Sequence, residues 1–121
     1  MNILVVDDSR TMRMIVKKTL RDAGYGDHSI EEADDGANAL ECIRTSSPDV
    51  VLSDWNMPNM TGIELLEAIN REGIKVKFGF VTTESTAEMR KRATDAGARF
   101  MIAKPFTVES FQSALDPIMQ G

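Results

Sequence analysis

The residues best suited to chemistry are acids that follow short apolar runs. Asp7 and Asp8 come directly after an apolar run at residues 3–6, and Asp54 follows a run at residues 50–52 after one serine. Carboxylates that leave coordination sites free for water and phosphate suit Mg²⁺. A carboxylate beside such a cation can also attack a phosphoryl group. The pattern therefore indicates Mg²⁺-assisted phosphoryl transfer with Asp54 as the nucleophile.

Two further polar residues follow apolar runs later in the chain. Thr82 ends the run at residues 78–81, and Lys104 follows the run at residues 100–103. Two like charges about 4 Å apart repel by about 4 kcal/mol at an effective dielectric constant of 20, so clustered acids need compensating positive charge. Lys104 would supply one charge and a divalent cation the other. The Thr82 hydroxyl would donate a hydrogen bond to a bound phosphoryl group.

The elements that must position these residues follow from the hydrophobic pattern. The four runs predict buried strands, and a weaker strand is predicted at residues 29–33. Segments with helical periodicity lie between them, as in Met12, Ile15, Val16 and Leu20. Alternating strands and helices predict right-handed crossovers, a mostly parallel sheet and a three-layer α/β sandwich. Ligands of such sheets bind beyond the carboxyl ends of the strands, where the polar residues lie.

Glycines and a hydroxyl residue mark helix ends. Gly24 and Gly97 follow helical patterns at positions where a left-handed residue is favoured. Ser85 and Glu88 have the spacing of a capping box at the start of the fourth helix.

Composition narrows the class of protein. A chain of 121 residues with 42% hydrophobic residues fits one globular domain over residues 1–121, without an output domain. The 14 basic and 19 acidic residues give a formal charge of -5, which disfavours nucleic-acid binding. No apolar stretch approaches the roughly 20 residues of a membrane span, and the single Cys42 cannot form an internal disulfide. We expect a soluble cytoplasmic protein.

These motifs together resemble the receiver domain of response regulators, in particular receivers of the chemotaxis type, along the whole chain. The resemblance is carried by the acidic pair, Asp54 in the run SDWNMPNM, Gly62, Thr82 and the run KPF that begins at Lys104. It implies a flavodoxin-like fold with strand order 2-1-3-4-5. It also implies that a histidine kinase phosphorylates Asp54.

The same resemblance implies roles for individual residues. Asp8, Asp54 and the backbone carbonyl of Asn56 would bind Mg²⁺ directly, and Asp7 would act mainly through metal-bound water. Thr82 would be the switch hydroxyl, and Lys104 would bind the phosphoryl group across a cis bond to Pro105. Asn56 and Glu84 would tune the lifetime of the phosphoryl group.

One position departs from the family pattern. Receivers of the chemotaxis type usually carry an aromatic switch residue on strand 5, where this chain has Met101. A flexible thioether can fill the same space with weaker rotamer preference, so coupling between phosphorylation and output is expected to be looser. The resemblance implies the flagellar motor switch as a protein target, and looser coupling through Met101 is expected to weaken phosphorylation-dependent binding to it.

We therefore expect a monomeric, single-domain response regulator that catalyses only its own phosphorylation and dephosphorylation and changes its affinity for a protein target. A phosphate sink or a phosphorelay intermediate is the alternative within this class. Two other classes of protein share parts of this pattern. A phosphatase of the haloacid dehalogenase type requires Asp-x-Asp after strand 1, where this chain has Asp-Asp-Ser. A flavodoxin that holds FMN requires a hydroxyl-rich phosphate-binding loop after strand 1, and this chain has no such loop there.

Overall fold

A computed structural model of the chain describes residues 1–83 and 86–119. Glu84, predicted to tune the phosphoryl lifetime, and Ser85, the predicted start of a capping box, lie outside the described residues. Within the described ranges, no helix has both the length and the apolar character needed to span a bilayer. The cytoplasmic location stays a prediction.

Five strands of the described residues form one parallel sheet in the order β2-β1-β3-β4-β5, as the resemblance implied. β2 and β5 have the predicted bounds. The other three strands are one or more residues longer than their apolar runs, because the ladder also pairs flanking residues such as Asn2 with Ser29 and Val50 with Lys77. The strands are β1 (Asn2–Val6), β2 (Ser29–Ala33), β3 (Val50–Ser53), β4 (Lys77–Thr82) and β5 (Phe100–Ala103).

Helices connect the strands and cover both faces of the sheet. In the described part of the chain they are α1 (Arg10–Leu20), α2 (Gly36–Ser46), α3 (Gly62–Arg71), α4 (Ala87–Asp95) and α5 (Val108–Met119). A π-helical turn at Arg21–Tyr25 extends α1. Gly24 and Gly97 have φ angles of 101° and 98°, which confirms the predicted left-handed positions.

Side-chain caps set the starts of these helices. The Ser9 hydroxyl accepts a hydrogen bond from the Met12 N–H, so α1 begins only three residues after the acid Asp7. The N-cap of α4 is Thr86, whose hydroxyl accepts from the Met89 N–H. The predicted capping box therefore placed the start of α4 one residue too early, because Thr86 itself has the extended backbone of a cap.

The core of the described residues lies on both sides of the sheet. Leu4 and Phe78 contribute to the cluster on one side, and Ile3 and Val81 contribute to the cluster on the other. This alternation along each strand follows from the two-residue period of side chains in a sheet. The three-layer prediction is confirmed. Ile15, one of the apolar residues in the helical pattern of α1, is 45% exposed.

Candidate functional site

The strand pairing brings three carboxylates to one edge of the sheet. Val6 and Ser53 are partners in the β1–β3 ladder, so Asp7 and Asp54 follow two neighbouring strand ends. The Asp54 N–H also donates to the Val6 carbonyl at 2.9 Å. Ligand oxygens of Asp7, Asp8 and Asp54 all lie within 4.8 Å of one another. The three acids that the sequence placed at strand ends therefore form one cluster.

Lys104 reaches this cluster from the end of β5. Its Nζ atom lies 3.0 Å from Asp7 Oδ2 and 3.4 Å from Asp54 Oδ2. The Lys104 N–H donates to the Thr82 carbonyl at 2.9 Å, which fixes its backbone beside the end of β4. The Lys104–Pro105 peptide bond is cis, as the resemblance implied. The ammonium thus compensates two of the three acids.

Asp7 is buried, 4% exposed, and each of its oxygen atoms accepts a hydrogen bond. Oδ1 accepts from the Ser9 N–H at 2.9 Å, Oδ2 accepts from Lys104, and the backbone carbonyl accepts from Arg13 Nη1 at 2.7 Å. Asp8 is exposed and makes no hydrogen bond or ion pair with any residue that the structure describes. Its carboxylate is therefore free to take a ligand.

Asp54 is held by its own neighbours. The Trp55 N–H donates to Oδ1 at 2.7 Å, which leaves Oδ2 directed toward Lys104. Burial raises the pKa of the Asp54 carboxyl above its ordinary value, and the Asp7 carboxylate adds to this rise. The Lys104 ammonium and the Trp55 N–H act in the opposite direction. The ionised form of Asp54 is therefore disfavoured, and a bound cation would stabilise it.

The backbone around Asp54 leaves no space beside it. The Ser53 hydroxyl donates to the Asp54 carbonyl at 2.8 Å, and the Gly62 N–H donates to the Trp55 carbonyl at 2.8 Å. A Cβ atom at Gly62 would lie 2.2 Å from the Asp54 carbonyl oxygen and 2.9 Å from the Phe80 ring. Only glycine fits at this close approach, so Gly62 supports the acid through packing.

Trp55 and Asn56 follow Asp54 in the loop after β3. A position beside the acids predicts a partly exposed side chain for Trp55, and this prediction is wrong: Trp55 is 8% exposed, and its ring centroid lies 4.8 Å from that of Phe80. Trp55 and Phe80 belong to the same core cluster. Asn56, the next residue, is exposed as a carbonyl ligand would need to be.

The predicted switch residues Thr82 and Met101 lie on the neighbouring strands β4 and β5. Thr82 is fully buried at the end of β4. Met101 is partly buried, pairs with Phe80 in the β4–β5 ladder and packs against the core. Arg90 on α4 and Arg99, which directly precedes β5, are both exposed. Glu84 cannot be placed relative to them because it lies outside the described residues.

The residues of the site fit a hard divalent cation. The cluster consists of three aspartates, with no histidine or cysteine among its described members, and oxygen ligands of this kind favour Mg²⁺, Ca²⁺ or Mn²⁺ over softer metals. Asp8 supplies the free carboxylate. Sequence reasoning missed Arg13, since a contact between residues six apart across a short loop leaves no periodic signal.

A parallel sheet in this order, with acids and a lysine at its carboxyl edge, defines a receiver within the flavodoxin-like α/β class. The model of the response regulator receiver domain matches residues 3–116, and the chain belongs to that family. Chemotaxis protein CheY-3 of Vibrio cholerae is 43% identical, and the match covers 99% of this chain and 92% of that protein. Chemotaxis protein CheY of Pseudomonas aeruginosa is 39% identical, with 99% and 97% covered.

Solved structures give the same fold. Chemotaxis protein CheY4 of Vibrio cholerae has a TM-score of 0.85 at 34% identity, with 97% of both chains covered. A response regulator receiver domain protein from Clostridium thermocellum has a TM-score of 0.84 at 24% identity, with 98% and 94% covered, and supports the fold alone. Membership of the receiver family favours a response regulator over the phosphatase and flavodoxin classes.

Proposed function

We propose that this receiver accepts a phosphoryl group on Asp54 from the phosphohistidine of a histidine kinase. The observation that carries the proposal is the convergence of Asp7, Asp8, Asp54 and Lys104 at one edge of the sheet. An Asp54 carboxylate oxygen attacks phosphorus, a P–O bond forms and the P–N bond breaks. The imidazole leaves with the electron pair and takes a proton from solvent.

The side chains of the site have separate parts in this step. The Trp55 N–H holds Oδ1, so Oδ2 beside Lys104 is the attacking oxygen. The Lys104 ammonium then lies next to the incoming phosphoryl oxygens and neutralises their charge. Asp7 keeps the ammonium in place through the 3.0 Å contact.

Mg²⁺ is the proposed cofactor. Asp8, Asp54 and the Asn56 carbonyl would hold it directly, and Asp7 would hold it through water. When bound, the cation supplies further neutralisation of the phosphoryl oxygens. The free carboxylate of Asp8 and the raised pKa of Asp54 both support this proposal, because each side chain gains from a positive neighbour.

The output is a change in affinity for a protein target. Thr82 would hydrogen-bond to the phosphoryl group, and Met101 on the neighbouring strand would repack with it, so the state of Asp54 would reach the face formed by α4, β5 and α5. Exposed Arg90 and Arg99 on that face fit an acidic partner. The chemotaxis relatives support a role in chemotaxis, with the flagellar motor switch as the target to test first. The protein would act on its own Asp54 only.

Trp55 fluorescence provides the experiment. Trp55 is the only tryptophan of the sequence, and its backbone N–H donates to the Asp54 carboxylate. Wild type, Asp54→Asn and the control Asp95→Asn, which alters an exposed acid of α4, are titrated with Mg²⁺ and then with beryllofluoride or acetyl phosphate. We expect wild type and the control to respond to both additions, and acetyl phosphate to add one phosphoryl group by mass. Asp54→Asn should gain none. Equal responses to the phosphodonor in all three proteins would exclude Asp54 as the acceptor.

A further inference from the structure

We propose that Arg13 is a positioning residue for the acidic cluster, and that it sets the affinity for the divalent cation by holding the peptide group between Asp7 and Asp8. The inference rests on the proposed Mg²⁺ site. Among the described residues, Arg13 makes no hydrogen bond or ion pair with the carboxylates of the three acids or with Lys104. Arg13 acts through the backbone.

The contacts of Arg13 form a clamp between α1 and β2. Its Nη1 atom donates to the Asp7 carbonyl at 2.7 Å, and its Nε atom donates to Glu32 Oε1 at 3.0 Å. The side chain is only 14% exposed. On the other side, the Asp7 N–H donates to the Ala33 carbonyl at 3.2 Å. The backbone of Asp7 is therefore held at both its N–H and its carbonyl.

Glu32 keeps the guanidinium in this orientation. Its second oxygen, Oε2, accepts from Lys17 Nζ at 3.0 Å, and the hydrogen bond from Lys17 is the main cause that lowers the pKa of Glu32. A carboxylate that stays ionised and is bonded at both oxygens gives Arg13 a fixed partner. The planar guanidinium can then donate to two acceptors at once, which a lysine ammonium cannot do with the same geometry.

The clamp matters most for Asp8. A peptide group is planar, so the Asp7 carbonyl oxygen and the Asp8 Cα atom move together. The Asp8 side chain makes no hydrogen bond or ion pair within residues 1–83 and 86–119 that would orient it independently. The contact from Arg13 to the Asp7 carbonyl therefore helps to fix the position of the Asp8 Cα atom, from which the Asp8 carboxylate extends.

Charge and position predict opposite effects of removing Arg13. A nearby positive charge repels a cation, so an Arg13 that acted by charge alone would weaken Mg²⁺ binding, and its loss would strengthen it. An Arg13 that orients Asp8 strengthens binding, and its loss would weaken it. Loss of groups that orient metal ligands typically costs 10- to 100-fold in affinity.

The test measures the Kd for Mg²⁺ by Trp55 fluorescence and by calorimetry, together with the free energy of unfolding without metal. Arg13→Met is compared with Lys18→Met, a matched control that also removes a cation of α1 from an ion pair, here with Asp22. We expect the Kd of Arg13→Met to rise about 10-fold and that of Lys18→Met to stay within about twofold of wild type. Arg13→Lys, which keeps the charge without the fork, should lie between wild type and Arg13→Met.

An unchanged or lower Kd for Arg13→Met overturns the proposal. A Kd for Arg13→Lys equal to that of wild type, together with a raised Kd for Lys18→Met, also overturns it. A drop in the free energy of unfolding without a change in Kd would assign Arg13 a purely structural role and would also overturn it. If Arg13→Met does not fold, Glu32→Gln loosens the clamp from its far side and must raise the Kd. Wild type that binds no Mg²⁺ rejects the proposed function itself, which is distinct from failure of the Arg13 variants alone.

Discussion

Lys104 Nζ lies 3.0 Å from Asp7 Oδ2, although 97 residues separate the two along the chain. The same ammonium lies 3.4 Å from Asp54 Oδ2, so the pair is part of a shared arrangement with the acceptor. All three side chains are largely buried. A buried ammonium between two carboxylates keeps the acids together before any cation or phosphoryl group is present.

Replacing Lys104 by Met separates the stability of the cluster from its cation binding. The two remaining acids lose their positive partner, and breaking a buried ion pair from one side costs about 3 kcal/mol, so the free energy of unfolding should fall by about that amount at neutral pH. Removal of the positive charge should also lower the Kd for Mg²⁺. Chemical denaturation and calorimetry measure the two effects. Unchanged stability would show that the contact at 3.0 Å contributes nothing net.

Asp54→Asn is expected to stabilise the metal-free protein at neutral pH. Burial is the main cause that raises the pKa of Asp54, so the folded state binds this proton more tightly than the unfolded state. The stability contributed by this group is full below the unfolded pKa and is lost as the pH rises through the higher folded pKa. The advantage of Asn should therefore vanish at low pH.

Melting temperatures of wild type and Asp54→Asn across acid to neutral pH check this sign. Saturating Mg²⁺ should raise the melting temperature of wild type more than that of the variant. Asp95→Asn on α4 controls for the general loss of one negative charge. A variant that is less stable than wild type at neutral pH, without metal, contradicts the expectation.

Gly62→Ala tests the close approach behind the acceptor. Its Cβ would lie 2.2 Å from the Asp54 carbonyl oxygen, so the loop must shift and the free energy of unfolding should fall by about 3 kcal/mol. Gly26→Ala is the matched control, because the nearest atom to its Cβ would lie at 3.5 Å and its φ is negative. Denaturant unfolding of both variants measures the difference. Equal losses in the two proteins would reject the steric explanation.

Tyr25 links the turn after α1 to α5 through a hydrogen bond from its hydroxyl to the Asp116 carboxylate. Burial, followed by the bond to Asp116, raises the pKa of Tyr25 above its ordinary value. The stability from this phenol is therefore present below the unfolded pKa and is lost as the pH rises beyond it. Tyr25→Phe should lower the free energy of unfolding at neutral pH by about 1.5 kcal/mol.

Ultraviolet absorbance follows this ionisation without interference from other tyrosines, since the chain has only one. The folded protein should develop tyrosinate absorbance at a higher pH than the unfolded chain, and Asp116→Asn should lower that pH. Titration of the folded protein at the ordinary value of a free tyrosine would contradict the buried hydrogen bond.

The elements and the positions of the chemical groups could be predicted because their signals are local. Buried strands appear in the sequence as apolar runs. Asp7 and Lys104 follow such runs directly and Asp54 follows one after a single serine, so their place at the strand ends could be predicted from the sequence. The strand order was different in kind. Alternating strands and helices predict a parallel sheet but do not decide which strands are neighbours, and here the family resemblance supplied the order.

Two of the residues that sequence reasoning missed or misplaced depend on contacts between separate elements, and a third depends on local backbone geometry. Trp55 is buried because Phe80 of another strand lies against its ring, and Arg13 reaches the Asp7 carbonyl only because a short loop folds α1 back over β1. Thr86 caps α4 in place of its neighbour through local backbone geometry that two hydroxyl residues in succession do not distinguish.

The sequence alone thus determined which side chains could carry phosphoryl chemistry and on which elements they would lie, because periodicity and residue type act over a few positions. Only the tertiary structure decided that Lys104 sits nearer to Asp7 than to Asp54, that Asp8 alone of the three acids has no partner among the described residues, and that a guanidinium holds the peptide between the two adjacent acids. Such relationships depend on distances between groups that the chain brings together only when it folds, and no local pattern encodes them.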